Sequence, residues 1–326
     1  MSMALRYVIL GAIIILFILA GLFLGPANYS FIDGLYGIFS SSDGNDGIVN
    51  TIMWSIRIPR VAVSIVVGAC LGLAGALIQI STRSPLGDPN LFGIGGASAI
   101  FLACSAAGLF VSSGPLVFIG AAGFSVIISL ILIRLINTQD LTPIRLVLMG
   151  IALGSLTIAI STAVISHGSI FSTQVLGLVA GSFAYSSWNV FYYVSLTLLI
   201  CGAVTIILAK RFQPIVLGDT LSKSLGVDPF KMRFISMLMV GILTAASVYG
   251  GGMIGFVGLI SPHISRRLFG NSTMHLFIGS MISGILITML SDQFARLLFA
   301  PTELPVGLAT TIIGAPLMMY LALRLK

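Results

Sequence analysis

The residues of this sequence that could do chemistry are few, and their spacing excludes several kinds of reaction. The string GGGMIG, from Gly250 to Gly255, fits the G-x-G-x-x-G pattern of dinucleotide-binding turns. It lies between two apolar segments rather than between a strand and a helix, so we exclude that function. The chain contains no G-x-x-x-x-G-K-[ST] phosphate loop and no H-E-x-x-H pair. We therefore expect that it is not an enzyme and does not hydrolyse nucleotides by itself.

The histidines are the remaining candidates for a metal site, and they do not cluster in the sequence. They are spread over different loops and segment ends: His167, His263 and His275. Each is typical of a hydrogen-bonded residue at the end of a helix. The cysteines lie inside apolar runs and lack the spacing of metal ligands. We expect no metal site in this chain.

Two arginines stand at an unusual place, directly before an unbroken apolar run. The stretch TIMWSIRIPRVAVSIVVGACLG, residues 51–72, contains Arg57 and Arg60. Arginines at the mouth of a membrane span usually mark the cytoplasmic side. What these two charges do therefore depends on which side of a membrane they face.

The composition is that of a protein with many membrane spans. Of the 326 residues, 57% are hydrophobic and 8% are charged. A soluble domain of this length carries about a quarter charged residues, so a single water-exposed globule is excluded. The basic residues lie at the ends of apolar runs rather than on one face, which argues against binding nucleic acid.

Ten apolar runs follow one another, and each is a candidate transmembrane helix. A hydrocarbon core of about 30 Å needs about 20 apolar residues per helix. The runs are 7–24, 61–80, 91–112, 115–136, 144–166, 187–209, 234–250, 253–264, 275–291 and 304–323. The eighth is too short to span alone and follows YGGGMIG, so we expect a broken helix that begins inside the protein. The prediction is an all-α polytopic membrane protein of about ten transmembrane helices in a single domain, 1–326.

The distribution of basic residues predicts the orientation. Ten crossings put both termini on one side, and Lys and Arg collect on the cytoplasmic side of a membrane. With both termini in the cytoplasm, only three of the 16 Lys and Arg residues lie outside. These three are Arg57, Arg60 and Arg296. We predict a multi-pass protein with cytoplasmic termini.

Two interpretations of these outer arginines stay open at this point. Arginines at helix ends snorkel to lipid headgroups or pair with acids, and Asp292 and Glu303 are candidate partners. Alternatively, the three charges meet an acidic external partner.

Small and hydroxyl residues indicate how the spans pack. Pairs of glycines at four-residue spacing recur, Gly68/Gly72 and Gly150/Gly154 among them, and such pairs allow close approach of helices in lipid. In the run 144–166, Ser155, Thr162 and Ser166 share one helix face. This mildly polar stripe either lines an aqueous path or bonds back to carbonyls one turn earlier.

The longest cytoplasmic loop, 210–233, predicts a short helix outside the membrane. Asp219 is a good N-cap for a helix over 220–225, and Gly226 suits the position after its end. Pro229 prevents simple continuation into the next span. The helix is either a contact point for a cytoplasmic partner or a plain connector.

Four stretches, in order along the chain, resemble one family. They are RIPRVAVSIVVGACLGLAGALIQISTRSPLGDPNLFGIGGASA (57–99), LGDTLSKSLGVD (217–228), GMIGFVGLISPHISRRLFG (252–270) and ELPVGLATTIIGAPLMMYL (303–321). The chain resembles the permease subunits of ABC importers for iron–siderophore complexes, haem and vitamin B12, the FecCD-like type II importers. One departure is SPLGDP (84–89), where the family commonly has NPLADP, and it leaves the local loop bonding open.

This resemblance implies a fold and a set of partners. The fold is a ten-helix permease with an inverted-repeat-like bundle in a bacterial or archaeal cytoplasmic membrane. The permease pairs with a second copy or a close paralogue, and an extracytoplasmic substrate-binding protein docks outside. Two cytoplasmic ATPase subunits use ATP and Mg, so this chain itself binds no cofactor.

The resemblance also implies roles for individual residues. Docking of the binding protein falls to Arg57, Arg60 and Arg296. The translocation path takes in Ser155, Thr162, Ser166, Thr310 and Gly314, with an inner gate at Thr142 and Pro143 and His167 toward the outer mouth. Coupling to the ATPase falls to the loop residues Leu217, Gly218, Asp219, Thr220, Leu221, Ser222, Lys223, Ser224, Leu225 and Gly226.

The function expected from this resemblance is ATP-driven import of an iron–siderophore complex, with haem or cobalamin as the alternative cargo. A secondary transporter driven by an ion gradient is a rival. Such a carrier needs titratable groups near the bilayer centre, whereas Asp292 and Glu303 fall near the outer ends of their runs. A membrane enzyme acting on lipid would need a polar catalytic cluster, and none is evident in the sequence.

Overall fold

The computed structural model describes residues 3–25, 34, 37, 46–110, 113–136, 143–167, 173–270, 272–300 and 302–324, and within them every regular element is helical. The helices are α1 Met3–Phe23, α2 Asp46–Ile52, a π-helical turn Met53–Arg57, α3 Ile58–Thr82, α4 Ile94–Ala106, α5 Gly114–Ile136, α6 Pro143–His167, α7 Thr173–Ala180, α8 Trp188–Leu217, α9 Asp219–Ser224, α10 Pro229–Gly251, α11 Val257–Phe269, α12 Thr273–Leu297 and α13 Val306–Arg324.

The helices confirm an all-α protein with many spans. In the described part of the chain, seven helical segments are long and apolar enough to cross a membrane, and α4 and the part Val306–Leu317 of α13 are apolar but shorter. Each of the ten predicted runs contains one helix. The eighth run holds α11, whose 13 residues reach only about 20 Å. It follows the non-helical segment 252–256, as expected for a broken helix.

Helix α3 is the centre of the bundle, and small residues set its distance from its neighbours. It packs against α12, α10, α11 and α8, and nearly all of its side chains are buried. A Cβ at Gly72 would lie 2.0 Å from the carbonyl oxygen of Ser280, and one at Gly68 would lie 2.6 Å from that of Gly284. This confirms close helix approach at the Gly68/Gly72 pair, the packing that lipid-embedded helices rely on.

The loop between α3 and α4 holds the start of the broken helix α11. The amide of Asn90 donates to the carbonyl oxygen of Ile254 at 2.7 Å, and that of Gln79 donates to Leu259 at 3.1 Å. Asp88 is 1% exposed and its Oδ1 accepts from the backbone N–H groups of Asn90 and Leu91. Burial raises the pKa of Asp88 to about 6, and the backbone hydrogen bonds act in the opposite direction. Polar groups of this loop and Gln79 of α3 therefore supply hydrogen bonds to the backbone at and near the interruption before α11.

Candidate functional site

Two groups of charged residues lie at opposite ends of α3, and both include predicted site residues. We call the first the arginine cluster: Arg57, Arg60 and Arg296 with Asp292 and Glu303. Arg57 ends the π-helical turn, Arg60 lies in the first turn of α3, and Asp292 and Arg296 lie near the end of α12. The three arginines were singled out by their sidedness alone, and the structure brings them together.

Arg60 is the centre of the arginine cluster and binds two carboxylates at once. Its Nη2 and Nε donate to Asp292 Oδ1 at 2.8 and 3.2 Å, and its Nη1 donates to both oxygens of Glu303 at 2.9 Å. The side chain of Asp292 is 3% exposed, whereas that of Glu303 is 31% exposed. Forked guanidinium–carboxylate pairs of this kind combine charge attraction with a fixed geometry. Of the two acids, only Glu303 has substantial access to solvent.

The end of α1 covers the other two guanidinium groups. Arg57 Nη1 donates to the carbonyl oxygen of Leu22 at 2.6 Å, and Arg296 Nη1 donates to that of Gly21 at 3.1 Å. A Cβ at Gly25 would lie 2.7 Å from Arg296 Nη2. Carbonyls in the last turn of a helix have no partner within the helix and carry partial negative charge, so they suit cations.

The arginine cluster therefore differs from the exposed docking surface that the sequence predicted. Arg57, Arg60 and Arg296 are 3%, 5% and 3% exposed. For Arg60, pairing with Asp292 and Glu303 is the interpretation that the structure supports. The arginines are buried because α1 and the segment that leads into α13 pack over this end of α3 and α12, a tertiary contact that the sequence pattern does not show. A docking role would require part of this cover to move.

The second group of charges fixes the short helix α9 at the other end of α3. Asp219 Oδ1 accepts from Arg233 Nη2 at 2.7 Å and Oδ2 accepts from Arg233 Nη1 at 3.2 Å, and Asp219 also pairs with Arg83, the residue after α3. Burial acts to raise the pKa of Asp219, but attraction to Arg233 and Arg83 outweighs it and holds the pKa below its ordinary value. Arg83 is 136 residues from Asp219 in sequence and Arg233 is 14 residues away, and no local pattern predicted either pairing.

The predicted N-cap of α9 is wrong, while the predicted end of the helix is confirmed. Asp219 is the first helical residue, Gly218 precedes it, and no side chain caps the helix. The two guanidinium groups draw the carboxylate away from the helix N–H groups. Gly226 has φ +76° just after the end of α9, and Pro229 is the first residue of α10. Glycine adopts such a positive φ without the steric cost that a Cβ brings.

Helix α9 and the two residues that flank it, Leu217 at the end of α8 and Leu225 after α9, present apolar side chains away from the bundle. Leu217, Leu221 and Leu225 are 61%, 53% and 60% exposed, although none of them lies in the middle of a span. Ser222, on the opposite side, is buried and donates to the carbonyl oxygens of Pro214 and Gly218 at 2.8 and 2.7 Å. A fixed helix with outward leucines is typical of a protein–protein contact surface.

The predicted path residues fall into two groups. Ser155, Thr162 and Ser166 are exposed on α6. The hydroxyl of Ser155 donates to the carbonyl oxygen of Ile151 at 2.9 Å, and that of Thr162 contacts Ile158 at 3.0 Å. The back-bonding alternative is thus confirmed for two of the three, while their face stays open to a neighbouring molecule.

Thr310 and Gly314 are placed differently from the prediction. Thr310 is 1% exposed and donates to the carbonyl oxygen of Gly307 at 3.0 Å. A Cβ at Gly314 would lie 2.5 Å from Cβ of Phe256, the residue before α11. Both therefore face the interior, because α13 turns this side toward the broken helix. Thr142 lies outside the described residues; Pro143 begins α6 and His167 ends it.

A cavity of about 600 Å³ lies between the ends of α3 and α8 and helix α11, and the sequence did not indicate it. Its lining includes Arg83, His263 and Arg266, with Gln79 and Leu217. Arg266 Nη1 donates to Gln79 Oε1 at 2.7 Å, which ties α11 to α3. Among the described residues, no group of three His, Cys, Asp or Glu side chains could hold a metal ion.

The sequence of this chain matches a known protein family. Residues 13–324 match the model of the FecCD transport family. The Fe(3+)-citrate import permease YfmD of Bacillus subtilis is 32% identical over 98% of this chain and 95% of its own length. The vitamin B12 import permease BtuC of Vibrio parahaemolyticus is 32% identical over 84% of this chain and 83% of its own length.

A solved structure is similar over almost the whole fold. A metal-chelate type ABC transporter in an inward-facing conformation has a TM-score of 0.79 and 28% identity, covering 97% of this chain and 98% of that one. The chain therefore belongs to the FecCD transport family.

Proposed function

We propose that this chain is the membrane permease of an ATP-driven importer that moves an iron–siderophore complex into the cytoplasm. The single observation that carries the proposal is α9, a short helix held between two long spans. Its Leu221 and the flanking Leu217 and Leu225 are exposed, and the ion pairs of Asp219 with Arg83 and Arg233 fix its position. An exposed amphipathic helix of this kind docks into an apolar groove of a partner. The partner we propose is an ATPase, which uses ATP and Mg while this chain binds no cofactor.

The proposed assembly has two permeases, two ATPase subunits on the α9 side and a binding protein at the arginine cluster. The second permease is an identical copy or a paralogue. The exposed face of α6 with Ser155, Thr162 and Ser166 would line the path between the two permeases, and Thr142 and Pro143 would form its inner gate. His167 would lie toward the outer mouth.

The α9 end faces the cytoplasm in this proposal. The charge pattern supports this orientation, since Lys210, Arg211 and Lys223 lie at or near α9 and are exposed. A cysteine introduced by Thr302→Cys, beside Glu303, should react with a membrane-impermeant maleimide in intact cells. Reaction only after the cells are broken would reverse the orientation and remove the proposed docking side.

The cargo we propose is a ferric chelate. Relatives include permeases named for Fe(3+)-citrate, iron(3+)-hydroxamate and siderophore import, as well as for vitamin B12 import. Uptake of ⁵⁵Fe-labelled hydroxamate siderophore in competition with haem and cobalamin should show displacement by unlabelled ferric siderophore alone. Displacement by cobalamin or haem would replace the proposed cargo with the alternative.

The role of α9 is tested with the paired substitution Leu221→Ser and Leu225→Ser. In proteoliposomes that contain the permease and its ATPase, we expect this variant to lose ATP-dependent uptake and co-purification of the ATPase, because the apolar contact is removed. The matched control is Leu109→Ser, which changes an equally exposed leucine at the end of α4. Uptake driven by a proton gradient without the ATPase would favour the ion-coupled carrier instead.

A further inference from the structure

The arginine cluster contains one ion pair that differs from its neighbours in exposure. Asp292 is buried and holds Arg60 through Nη2 and Nε, whereas Glu303 reaches Arg60 through Nη1 alone and keeps 31% of its side chain exposed. A carboxylate arriving from outside could therefore reach the Nη1 side of Arg60 without disturbing Asp292. It would have to take the place of Glu303.

The charge balance of the arginine cluster favours an external carboxylate that replaces Glu303 over one that binds in addition to it. Three guanidinium groups and two carboxylates make up the arginine cluster, and Arg296 Nε has no hydrogen-bond partner within the described residues. Loss of Glu303 alone would leave Arg60 with only one carboxylate, which costs up to about fivefold in an equilibrium constant, or about 1 kcal/mol, for a partly exposed pair. If another carboxylate enters as Glu303 leaves, the net charge of the cluster is unchanged. The exchange then costs little in either direction.

Glu303 also lies in the segment that starts α13. Residues 302–305 are not helical, and α13 begins at Val306. Besides the ion pair, three backbone hydrogen bonds hold this part of the chain: Thr302 N–H to Phe299 oxygen at 2.9 Å, Leu304 N–H to Ala295 oxygen at 3.0 Å and Val306 N–H to Gly181 oxygen at 2.8 Å. Leu304 packs against the hydrophobic core. Release of Glu303 from Arg60 would remove the charged attachment of this segment.

We propose that Glu303 is an internal stand-in for an acidic residue of the external binding protein, and that the exchange frees segment 302–305 and the start of α13. The inference rests on the proposed function, because it supposes that an acidic protein docks at the arginine cluster. It adds to that function a competitor within the permease and a direct link from docking to one helix. Since the docking site is open only when Glu303 has let go, the paired state lowers the apparent affinity for the partner.

The first test compares docking to Glu303→Gln and wild type. Glutamine keeps the shape of the side chain but loses the charge that competes for Arg60. We expect the dissociation constant of the binding protein, measured on permease in nanodiscs, to fall by about twofold to fivefold, the size of a partly exposed ion pair. The control is Asp46→Asn, which removes one carboxylate outside the arginine cluster, from the first residue of α2, and should leave the constant unchanged.

The second test follows segment 302–305 directly. With Leu304→Cys as background, reaction with an impermeant maleimide should be slow in the free permease and faster once the binding protein is added. Adding Glu303→Gln should make the reaction fast without the binding protein. If the binding protein docks equally to wild type and Glu303→Gln and the labelling rate never changes, the exchange is refuted while docking stands. Failure of the binding protein to dock on the wild type would refute the proposed function itself.

Discussion

The substitution Asp219→Asn tests whether the position of α9 depends on charge. Asparagine has nearly the same shape as aspartate but cannot neutralise a guanidinium group. In the structure Asp219 binds Arg233 with both oxygens and also pairs with Arg83. The side chain of Arg233 is 7% exposed, whereas that of Asp219 is 46% exposed. The variant therefore leaves a buried guanidinium without its counter-charge.

The expected cost follows from these exposures. Removing one partner of a fully buried ion pair costs about 3–5 kcal/mol, and an exposed pair contributes about 0–1 kcal/mol. With one partner buried and the other half exposed, we expect about 1–2 kcal/mol for the placement of α9. Because 1.4 kcal/mol is a factor of ten in an equilibrium constant, the affinity for the ATPase should fall by about fivefold to thirtyfold.

The assay is titration of the purified ATPase onto permease in nanodiscs, with uptake in proteoliposomes as a second measure. The matched control is Asp228→Asn. Asp228 lies in the same loop with similar exposure, 48%, and its nearest cation is Lys231 at 3.8 Å. It caps α10 through Phe230 N–H, and asparagine also serves as a cap. Equal affinity of Asp219→Asn and wild type, or an equal loss in Asp228→Asn, would show that charge does not position α9.

Three further predictions concern the bundle and its ends. Gly75→Ala should lower the thermal midpoint in detergent by an amount equivalent to about 1–3 kcal/mol, because its Cβ would lie 1.8 Å from the carbonyl oxygen of Gly258. The control Gly202→Ala should leave the midpoint unchanged, because a Cβ there would meet nothing within 4 Å. The raised pKa of Asp88, about 6, favours its neutral form when folded, so its contribution to stability is complete at low pH and disappears as pH rises through about 6. As pH rises from 4 to 7, the thermal midpoint of the wild type should therefore fall relative to that of Asp88→Asn. Midpoints that change in parallel would contradict the raised pKa of Asp88. Asp292→Asn should lower the free energy of unfolding by about 3–5 kcal/mol, because it breaks a buried ion pair. Glu303→Gln should lower it by about 1 kcal/mol or less, because Glu303 is partly exposed. Equal losses for the two variants in urea unfolding would contradict this difference in burial.

The sequence predicted most of the elements, because their signals are local. Apolar runs of about 20 residues mark spans in any surrounding. Glycine and proline mark where α9 ends and α10 begins, since their backbone restrictions act within one or two residues. The count of basic residues isolated Arg57, Arg60 and Arg296 without any knowledge of contacts. The close approach at Gly68 and Gly72 was likewise readable as a small-residue pair.

The exposure and partners of those residues were decided only by the tertiary structure. Arg60 meets Asp292 and Glu303 across 232 and 243 residues of chain, and Asp219 is drawn from its capping position by Arg83, 136 residues away. Thr310 faces inward because of how α13 rotates against α11. Such pairings depend on the relative rotation and depth of packed helices, which no local pattern encodes. The sequence by itself therefore determined where the long apolar helices lie and which three arginines stand apart from the other basic residues. Packing alone decided which charges are covered and which remain open to a partner.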